Sequence, residues 1–247
     1  MKHPDNRGDY DGEQARIYEE LRTTTFMSRI GWSREFALVN EIFGAWLIDN
    51  AIVLDAPTGT GRFLPLLRQL GYRVTGIDIS RDMLQIADGR AKSNGVNLVL
   101  GDCEFLPFKD KSFDYVMSIR FMGHLPPKTR IKVLQEFKRV SKKGTVVGFP
   151  ILDPVTFLKF KLGNIRYRLR TGEKRPWWPA NPRSLAEELA EAGLRISGKR
   201  WLLRPLSHIA FLYLVPLEPY RQDDGILDAL TREEQIHASM VVMDNKS

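Results

Sequence analysis

Apolar residues near the start of the chain recur at the spacing of an amphipathic helix. Ala15, Tyr18 and Leu21 lie three residues apart. A wider apolar stripe follows, made of Phe36, Val39, Ile42, Phe43, Trp46 and Leu47. Because residues three and four apart share one face of a helix, this pattern predicts helical structure within residues 11–50.

Between residues 52 and 149, short apolar runs alternate with further helical patterns. The runs predict five strands, at 52–54, 72–79, 98–100, 113–119 and 145–149. Helices are predicted between them, with Gly71 ending the first, Ser80 capping the second and Gly144 closing the last connection. Such alternation favours an α/β fold with a parallel sheet, and right-handed crossovers make it doubly wound.

The last third of the chain follows a different pattern. Residues 151–180 show no clear period. Asn181 and Pro182 then begin a predicted helix, as N-cap and first helical residue. Two further runs, at 195–203 and 209–217, predict strands, and the short gap between them favours an antiparallel hairpin.

The charge of the chain is unevenly distributed. The formal net charge is +7, and two basic stretches lie at 128–143 and 159–175, where Glu173 is the only acid of the second. Such patches favour anionic partners: nucleic acid, a phosphorylated substrate or an acidic membrane surface. A solvated helix face and a basic loop would produce the same pattern, so both interpretations stay open.

Several classes of protein are disfavoured. The opening residues, MKHPDNRGDY, contain no apolar run that would indicate a secretory signal. The longest apolar stretch, 209–217, contains Pro216 and is shorter than the roughly 20 residues that cross a bilayer. A single cysteine, Cys103, excludes an internal disulfide and a Cys-based metal cluster. We therefore expect a cytoplasmic protein with no transmembrane segment and no bound metal.

The segment VLDAPTGTGRFL, residues 53–64, is typical of a strand that enters a glycine turn and then a helix. Gly59 and Gly61 permit close approach of the backbone to a ligand. The helix that follows offers unpaired N–H groups. The segment therefore predicts a nucleotide-binding turn.

Three acids are predicted at the same edge of the sheet, because ligands bind beyond the carboxyl ends of parallel strands. Asp55 ends the first predicted strand, Asp78 the second, and Asp102 follows the third. A carboxylate at Asp78 suits the two hydroxyls of a ribose. One at Asp102 suits an exocyclic amine such as adenine N6.

The acids also bear on which nucleotide is bound. Asp55 at the turn is unfavourable beside a pyrophosphate and favourable beside an ammonium and a sulfonium. Arg62, on the other side of the turn, is compatible with facing solvent. The third glycine of a dinucleotide fingerprint would fall at Leu64, and the Gly-Lys-Ser/Thr of a Walker loop is missing. An S-adenosyl ligand is favoured over NAD.

Four stretches in order, VLDAPTGTG, GIDIS, GDCEFLPF and FDYVMSIRFMGHL, resemble motifs I to IV and the segment after IV of class I S-adenosylmethionine-dependent methyltransferases of the small-molecule type. The resemblance is close over residues 10–150. It implies a seven-stranded, mostly parallel sheet of order 3-2-1-4-5-7-6, with strand 7 antiparallel and helices on both faces. The predicted hairpin agrees with that order.

The resemblance also implies S-adenosylmethionine as the cofactor. By position, Asp55 and the glycines would surround its methionine moiety, Asp78 its ribose, and Asp102 its adenine amine. The implied cofactor-binding residues are Tyr18, Asp55, Ala56, Gly59, Gly61, Asp78, Ile79, Met83, Asp102, Cys103, Glu104 and Arg120. The chain departs from the family pattern at Pro57, which replaces the first glycine and supplies no N–H donor.

One domain over residues 1–247 fits these patterns best. Its expected parts are an N-terminal helical lid, a cofactor-binding core, a basic and aromatic insert over the substrate site, a terminal helix with a hairpin, and a tail. They occupy residues 1–50, 51–150, 151–180, 181–220 and 221–247, respectively.

Two residues after the fourth strand are candidates for catalysis. His124 has the unperturbed pKa of a general base, and Arg120 is a candidate anchor for an anionic acceptor. Alternatively, His124 caps the next helix or packs against the cofactor strand, and Arg120 forms hydrogen bonds within the loop. Methyl transfer from a sulfonium mainly requires alignment and exclusion of water, so a base is not obligatory.

The Asn/Asp-Pro-Pro-aromatic signature of exocyclic-amine methylases is absent, since Pro126 and Pro127 follow Leu125 and precede no aromatic residue. We expect methyl transfer to oxygen, nitrogen or carbon of a small molecule, with anionic and lipid-linked or membrane-associated acceptors among the candidates. An RNA methyltransferase is the first alternative. A NAD-dependent oxidoreductase and a non-catalytic nucleotide-binding scaffold are the others.

Overall fold

The computed structural model describes residues 26–45, 50–152, 154–173, 177–202 and 209–217. The strands are β1 (Ile52–Asp55), β2 (Arg73–Asp78), β3 (Asn97–Leu100), β4 (Phe113–Ser118), β5 (Ser141–Pro150), β6 (Leu194–Trp201) and β7 (Ile209–Pro216). The helices are α1 (Phe26–Ala45), α2 (Leu64–Gln69), α3 (Arg81–Asn94), α4 (Pro127–Val140), α5 (Pro154–Thr171) and α6 (Pro182–Glu191), with a short 3-10 turn at Met122–His124.

The strands form one seven-stranded sheet of order β3-β2-β1-β4-β5-β7-β6. β7 runs antiparallel to both of its neighbours, and the other pairings are parallel. The predicted fold class, strand order and antiparallel hairpin are confirmed. The order reverses beside β1, so the carboxyl ends of β1 and β4 border the crevice where ligands bind in such sheets.

Alternating side chains along the strands build two apolar layers. On β4, Tyr115 and Met117 pack with residues of α1 and α2, whereas Val116 packs with residues of α4 and α6. This alternation follows from the period of two in a strand. Helices therefore cover both faces of the sheet, and the core lies on either side of its central strands.

The structure adds one helix that the sequence pattern does not reveal, and it shows one local expectation to be wrong. Most of 151–180 is helix α5, and its aromatic residues Phe157, Phe160 and Tyr167 lie off the face that carries the leucines, so the segment as a whole shows no clear period. Gly144 lies inside β5 and does not end a helical connection. A Cβ at Gly144 would lie 2.7 Å from the carbonyl oxygen of Leu214, so glycine is needed there for close approach of β7.

The end of the insert returns to the edge of the sheet beside the 3-10 turn. The N–H of Ala180 donates to the carbonyl of Pro150 at 2.9 Å, and the N–H of Trp178 donates to that of Gly123 at 2.7 Å. Arg130, on α4, donates to the carbonyls of Met122 and Trp178 at 3.0 and 2.7 Å. These bonds hold the insert against the segment that follows β4. The division of the chain into lid, core, insert, hairpin and tail stays a prediction.

Candidate active site

The three predicted acids lie at one edge of the sheet. β1 ends in Asp55, β2 ends in Asp78, and Asp102 follows the end of β3. Since β3, β2 and β1 are neighbouring parallel strands, their carboxyl ends share this edge. The edge also carries the glycine turn, because that turn directly follows β1.

Asp78 ties the glycine turn to the start of α3. One carboxylate oxygen accepts from the N–H of Gly59 at 2.8 Å, and the other accepts from the N–H of Ser80 at 2.9 Å. Burial raises the pKa of Asp78, and backbone N–H groups of Ser80, Gly59 and Ile79 oppose that rise. A buried carboxylate that already accepts from amide donors is well placed to accept further hydrogen bonds from hydroxyl groups.

Asp55 is also buried, and it accepts a hydrogen bond from the Thr58 hydroxyl at 2.8 Å. Burial raises its pKa from 3.8 to about 7, while Thr58 and Arg62 oppose the rise and Asp78 adds to it. A cationic group placed beside it would favour its ionised form.

The two glycines of the turn have different surroundings. Gly59, with φ +56°, has no heavy atom of the described residues within 4 Å of where a Cβ would lie. Gly61, with φ +73°, would bring a Cβ within 2.8 and 2.9 Å of Leu64 and Ala87. Open space in front of Gly59 fits a ligand that lies against the backbone. The Ala56–Pro57 peptide is cis, and the Ala56 N–H donates to the Met117 carbonyl.

The residues expected at the adenine lie on the next two loops. Met83 is buried in the first turn of α3, where its N–H donates to the Ser80 hydroxyl at 3.2 Å. Asp102 accepts from the N–H of Glu104 at 2.9 Å and so shapes the loop that carries the buried Cys103. Ile79 is half-buried directly after β2.

Sequence reasoning missed Glu35, which joins α1 to the site. Its side chain is 0% exposed and is paired with Arg62 at 2.8 Å and with Arg120 at 2.5 Å. Arg62 therefore does not simply face solvent, and the Nε of Arg120 is held by α1. A signal was present, because Glu35 shares a helix face with the apolar residues Val39 and Ile42.

His124 lies in the 3-10 turn, and its ring meets that of Trp177 edge-on with centroids 4.8 Å apart. Gly123 makes this approach possible, since a Cβ there would lie 2.7 Å from Trp177. His124 and Arg120 both follow β4 at the mouth of the site. Tyr18 lies outside the described residues.

The first basic stretch, 128–143, is largely used within the fold. Arg130 makes a bidentate, buried pair with Glu188 at 2.6 and 2.7 Å. Arg139 pairs with Glu136 at 2.7 Å and donates to loop carbonyls. These arginines serve helix and loop packing, so the stretch offers less charge to a partner than its composition suggests.

Comparisons with known proteins show which family and which relatives the chain resembles. Residues 53–144 match the model of a family described as "Methyltransferase domain". The chain is 40% identical to a demethylmenaquinone methyltransferase of Thermotoga maritima over 107 residues, 42% of this chain and 45% of that protein. It is 33% identical to a malonyl-(acyl-carrier protein) O-methyltransferase of Hamiltonella defensa over 141 residues, 56% of this chain and 48% of that protein.

Among solved structures, the fold resembles the magnesium protoporphyrin IX methyltransferase of Synechocystis, determined with bound SAH. The TM-score is 0.69 at 17% identity, and the alignment covers 85% of this chain and 97% of that one. Similarity at this identity shows the fold. The chain spans about half the length of these two curated relatives.

Proposed function

Since residues 53–144 match the methyltransferase-domain family and the sheet has the strand order of class I S-adenosylmethionine-dependent methyltransferases, we propose that the chain transfers a methyl group to oxygen, nitrogen or carbon of a small-molecule acceptor. The predicted family and its cofactor, S-adenosylmethionine, are confirmed at the level of this domain. In such enzymes the bound cofactor supplies an electrophilic methyl on a sulfonium. The acceptor and the roles of individual residues belong to the proposal.

One observation carries the proposal: a buried acid at the end of β1 and another at the end of β2 flank a glycine with open space before it. Asp55 suits the positive charge of a methionine moiety and opposes a pyrophosphate. Asp78 suits the ribose hydroxyls through two strong acceptor oxygens. Gly59, between them, lets the backbone approach the ligand.

The adenine would lie between the loops after β2 and β3. We assign Ile79 and Met83 to its apolar faces, Asp102 to its amine and the N–H of Cys103 to a ring nitrogen. Glu104 belongs to the same loop, where its carboxylate lies 3.9 Å from the ammonium of Lys132. Ala56 and Gly61 support the turn from behind, since Ala56 is fully buried and Gly61 packs on Ala87.

The acceptor would enter beside His124 and Arg120. We propose His124 as the base where the acceptor carries a proton of suitable pKa. Arg120 is held by Glu35, so we propose that it positions α1 over the site and presents its remaining guanidinium N–H groups to an anionic acceptor. The Thermotoga and Hamiltonella relatives are named for a quinone and a carrier-linked acid, which supports anionic and lipid-linked acceptors.

The test has two stages. Calorimetric titration with S-adenosylmethionine, S-adenosylhomocysteine and NAD measures which nucleotide binds. We expect micromolar binding of the first two and none of NAD; binding of NAD alone would contradict the proposal. Transfer of labelled methyl is then measured with quinols, carrier-linked acids and total RNA as acceptors.

The second stage separates the remaining alternatives. Label in quinols or carrier-linked acids supports the small-molecule assignment. Label in RNA alone would make the chain an RNA methyltransferase. Tight cofactor binding with no transfer to any acceptor would favour a non-catalytic scaffold. His124→Gln is then compared with wild type: loss of turnover with unchanged cofactor affinity is the expected result for a residue that acts on the acceptor.

A further inference from the structure

The outward face of α5 is an apolar stripe. Leu158, Leu162, Ile165 and Leu169 are 61, 59, 56 and 84% exposed. Their spacing of four, three and four residues places them on one face of the helix. A contiguous row of large aliphatic side chains facing solvent is uncommon and indicates an interaction surface.

The opposite face of α5 is less exposed than the stripe. Phe160, Gly163, Asn164 and Tyr167 are less exposed and lie half a turn away from the stripe. The Asn164 side-chain oxygen is buried. The stripe therefore lies on the more exposed side of the helix.

Basic side chains border the stripe on both sides. At 100° per residue, Lys161 and Arg168 fall on one flank, and Arg166 and Arg170 fall on the other. All four are exposed. The helix carries five basic residues and no acidic one, so the charge around the stripe is uniformly positive.

We propose that α5 is a membrane-docking helix that lies in the interface of an anionic bilayer. The aliphatic stripe enters the boundary between headgroups and acyl chains, and the flanking lysine and arginines extend to the lipid phosphates. Within the described residues, no helix is long and apolar enough to cross a membrane. The proposal concerns a surface contact and does not depend on methyl transfer.

Two other occupants fit the surface less well. RNA would require aromatic platforms for base stacking, whereas the stripe is aliphatic. A second copy of the chain, meeting this one face to face, would bring two sets of positive flanks together without acids from α5 to neutralise them. Anionic headgroups around an apolar interior complement both features of the face.

The position of α5 would bring a docked bilayer close to the candidate active site. β5 ends at Pro150 and α5 begins at Pro154, so the helix starts from the same edge of the sheet as the acids of β1 and β2. A bilayer held by α5 would lie near that edge. Granted the proposed function, an acceptor dissolved in or tethered to the bilayer could reach the cofactor without leaving it.

Sedimentation with lipid vesicles tests the docking on the full chain. Wild type is mixed with phosphatidylcholine vesicles, and with vesicles that also contain phosphatidylglycerol, at low and high salt. We expect binding only to the anionic vesicles, weakened by salt. Equal binding to both vesicle types, or binding to neither, would overturn the proposal.

Two variants separate the contribution of apolar burial to vesicle binding from that of electrostatic attraction. Leu162→Gln with Leu169→Gln should weaken partition at least about tenfold through lost apolar burial. Arg166→Gln with Arg170→Gln should weaken it on the order of thirtyfold, as expected from two basic residues at an anionic surface. All four positions are exposed, so thermal unfolding should be unchanged in both variants.

The matched control removes the same charge elsewhere. Lys92→Gln with Arg183→Gln changes two side chains that are 76 and 90% exposed, on α3 and α6. Vesicle binding of this control should equal that of wild type; an equal loss would show that only net charge matters and would contradict the role of α5. Loss of a dimer in the leucine variant, without vesicle binding by wild type, would assign the stripe to a second copy of the chain.

Discussion

The carboxylate of Asp78 accepts a hydrogen bond from the backbone N–H of Gly59 at 2.8 Å, across 19 residues of sequence. The end of β2 thereby holds the turn that follows β1. The group proposed to bind the ribose is thus also the group that orders the turn beneath the methionine moiety.

Asp78→Asn should lower the affinity for S-adenosylhomocysteine by about 1.5–3 kcal/mol, roughly ten- to a hundredfold. An asparagine has one acceptor oxygen and cannot serve Gly59, Ser80 and a ribose as a carboxylate does. Calorimetric titration measures the change. Asp88→Asn, on the exposed side of α3, is the control and should bind as wild type; an unchanged affinity in Asp78→Asn would mean that the ribose lies elsewhere.

The two turn glycines should respond differently to alanine. Gly61→Ala should lower the free energy of unfolding by about 2–4 kcal/mol, because its Cβ meets Leu64 and Ala87 and its φ is positive. Gly59→Ala should cost only about 1–2 kcal/mol of backbone strain, but its methyl enters the space proposed for the ligand. Denaturant unfolding and cofactor titration are measured on both variants. If both variants lost the same stability and the same cofactor affinity, the assignment of Gly61 to packing and of Gly59 to ligand contact would be wrong.

Asp55 should make the stability of the protein depend on pH. Its pKa is about 7 in the folded state and about 3.8 when unfolded. Between these values the folded state binds more protons, so its stability falls as the pH rises from about 4 to about 7. Across this pH range, Asp55 should lower the free energy of unfolding by at most about 4 kcal/mol.

Asp55→Asn removes this titration. The free energy of unfolding is measured by urea denaturation at several pH values in both proteins. The free energy of unfolding of wild type minus that of the variant should fall as the pH rises from about 4 to about 7, and it should be constant above that range. Parallel curves for the two proteins would show that Asp55 keeps an ordinary pKa. The comparison cancels other groups that titrate in both proteins.

The buried ion pair between Arg130 and Glu188 should contribute far more to the free energy of unfolding than an exposed ion pair on α6, the helix that carries Glu188. Glu188→Ala leaves the buried guanidinium of Arg130 without its carboxylate and should cost about 3–5 kcal/mol of unfolding free energy. Arg183→Ala breaks the exposed pair with Glu187 and should cost less than about 1 kcal/mol. Chemical denaturation compares them, and similar losses would contradict the assignment of Arg130 as the residue that holds the insert.

Much of the fold was predictable because its signals are local. The apolar runs of β1 to β5, the cap at Ser80 and the pair Asn181 and Pro182 are properties of neighbouring residues. Strand ends then place Asp55, Asp78 and Asp102 at one edge once the sheet is parallel. Their roles at the cofactor stay predictions, as do those of His124 and Arg120.

The remaining features depend on which element faces meet. Nothing within a few residues of Glu35 indicates Arg120, which lies 85 residues away, and the partner of Arg130 lies 58 residues away. Gly144 appeared to end a connection because its neighbour β7 comes about 70 residues later in the chain. Such pairings are decided by long-range packing.

The sequence by itself determined the order along the chain of the strands and of the helices other than α5, the glycine turn and the acids that follow the strands, because periodicity and turn chemistry act over a few residues. Only the tertiary structure decided that Glu35 joins α1 to the site, that Arg130 is buried, and that α5 turns its leucines outward. Those outcomes depend on which side of each helix finds a partner in the folded chain.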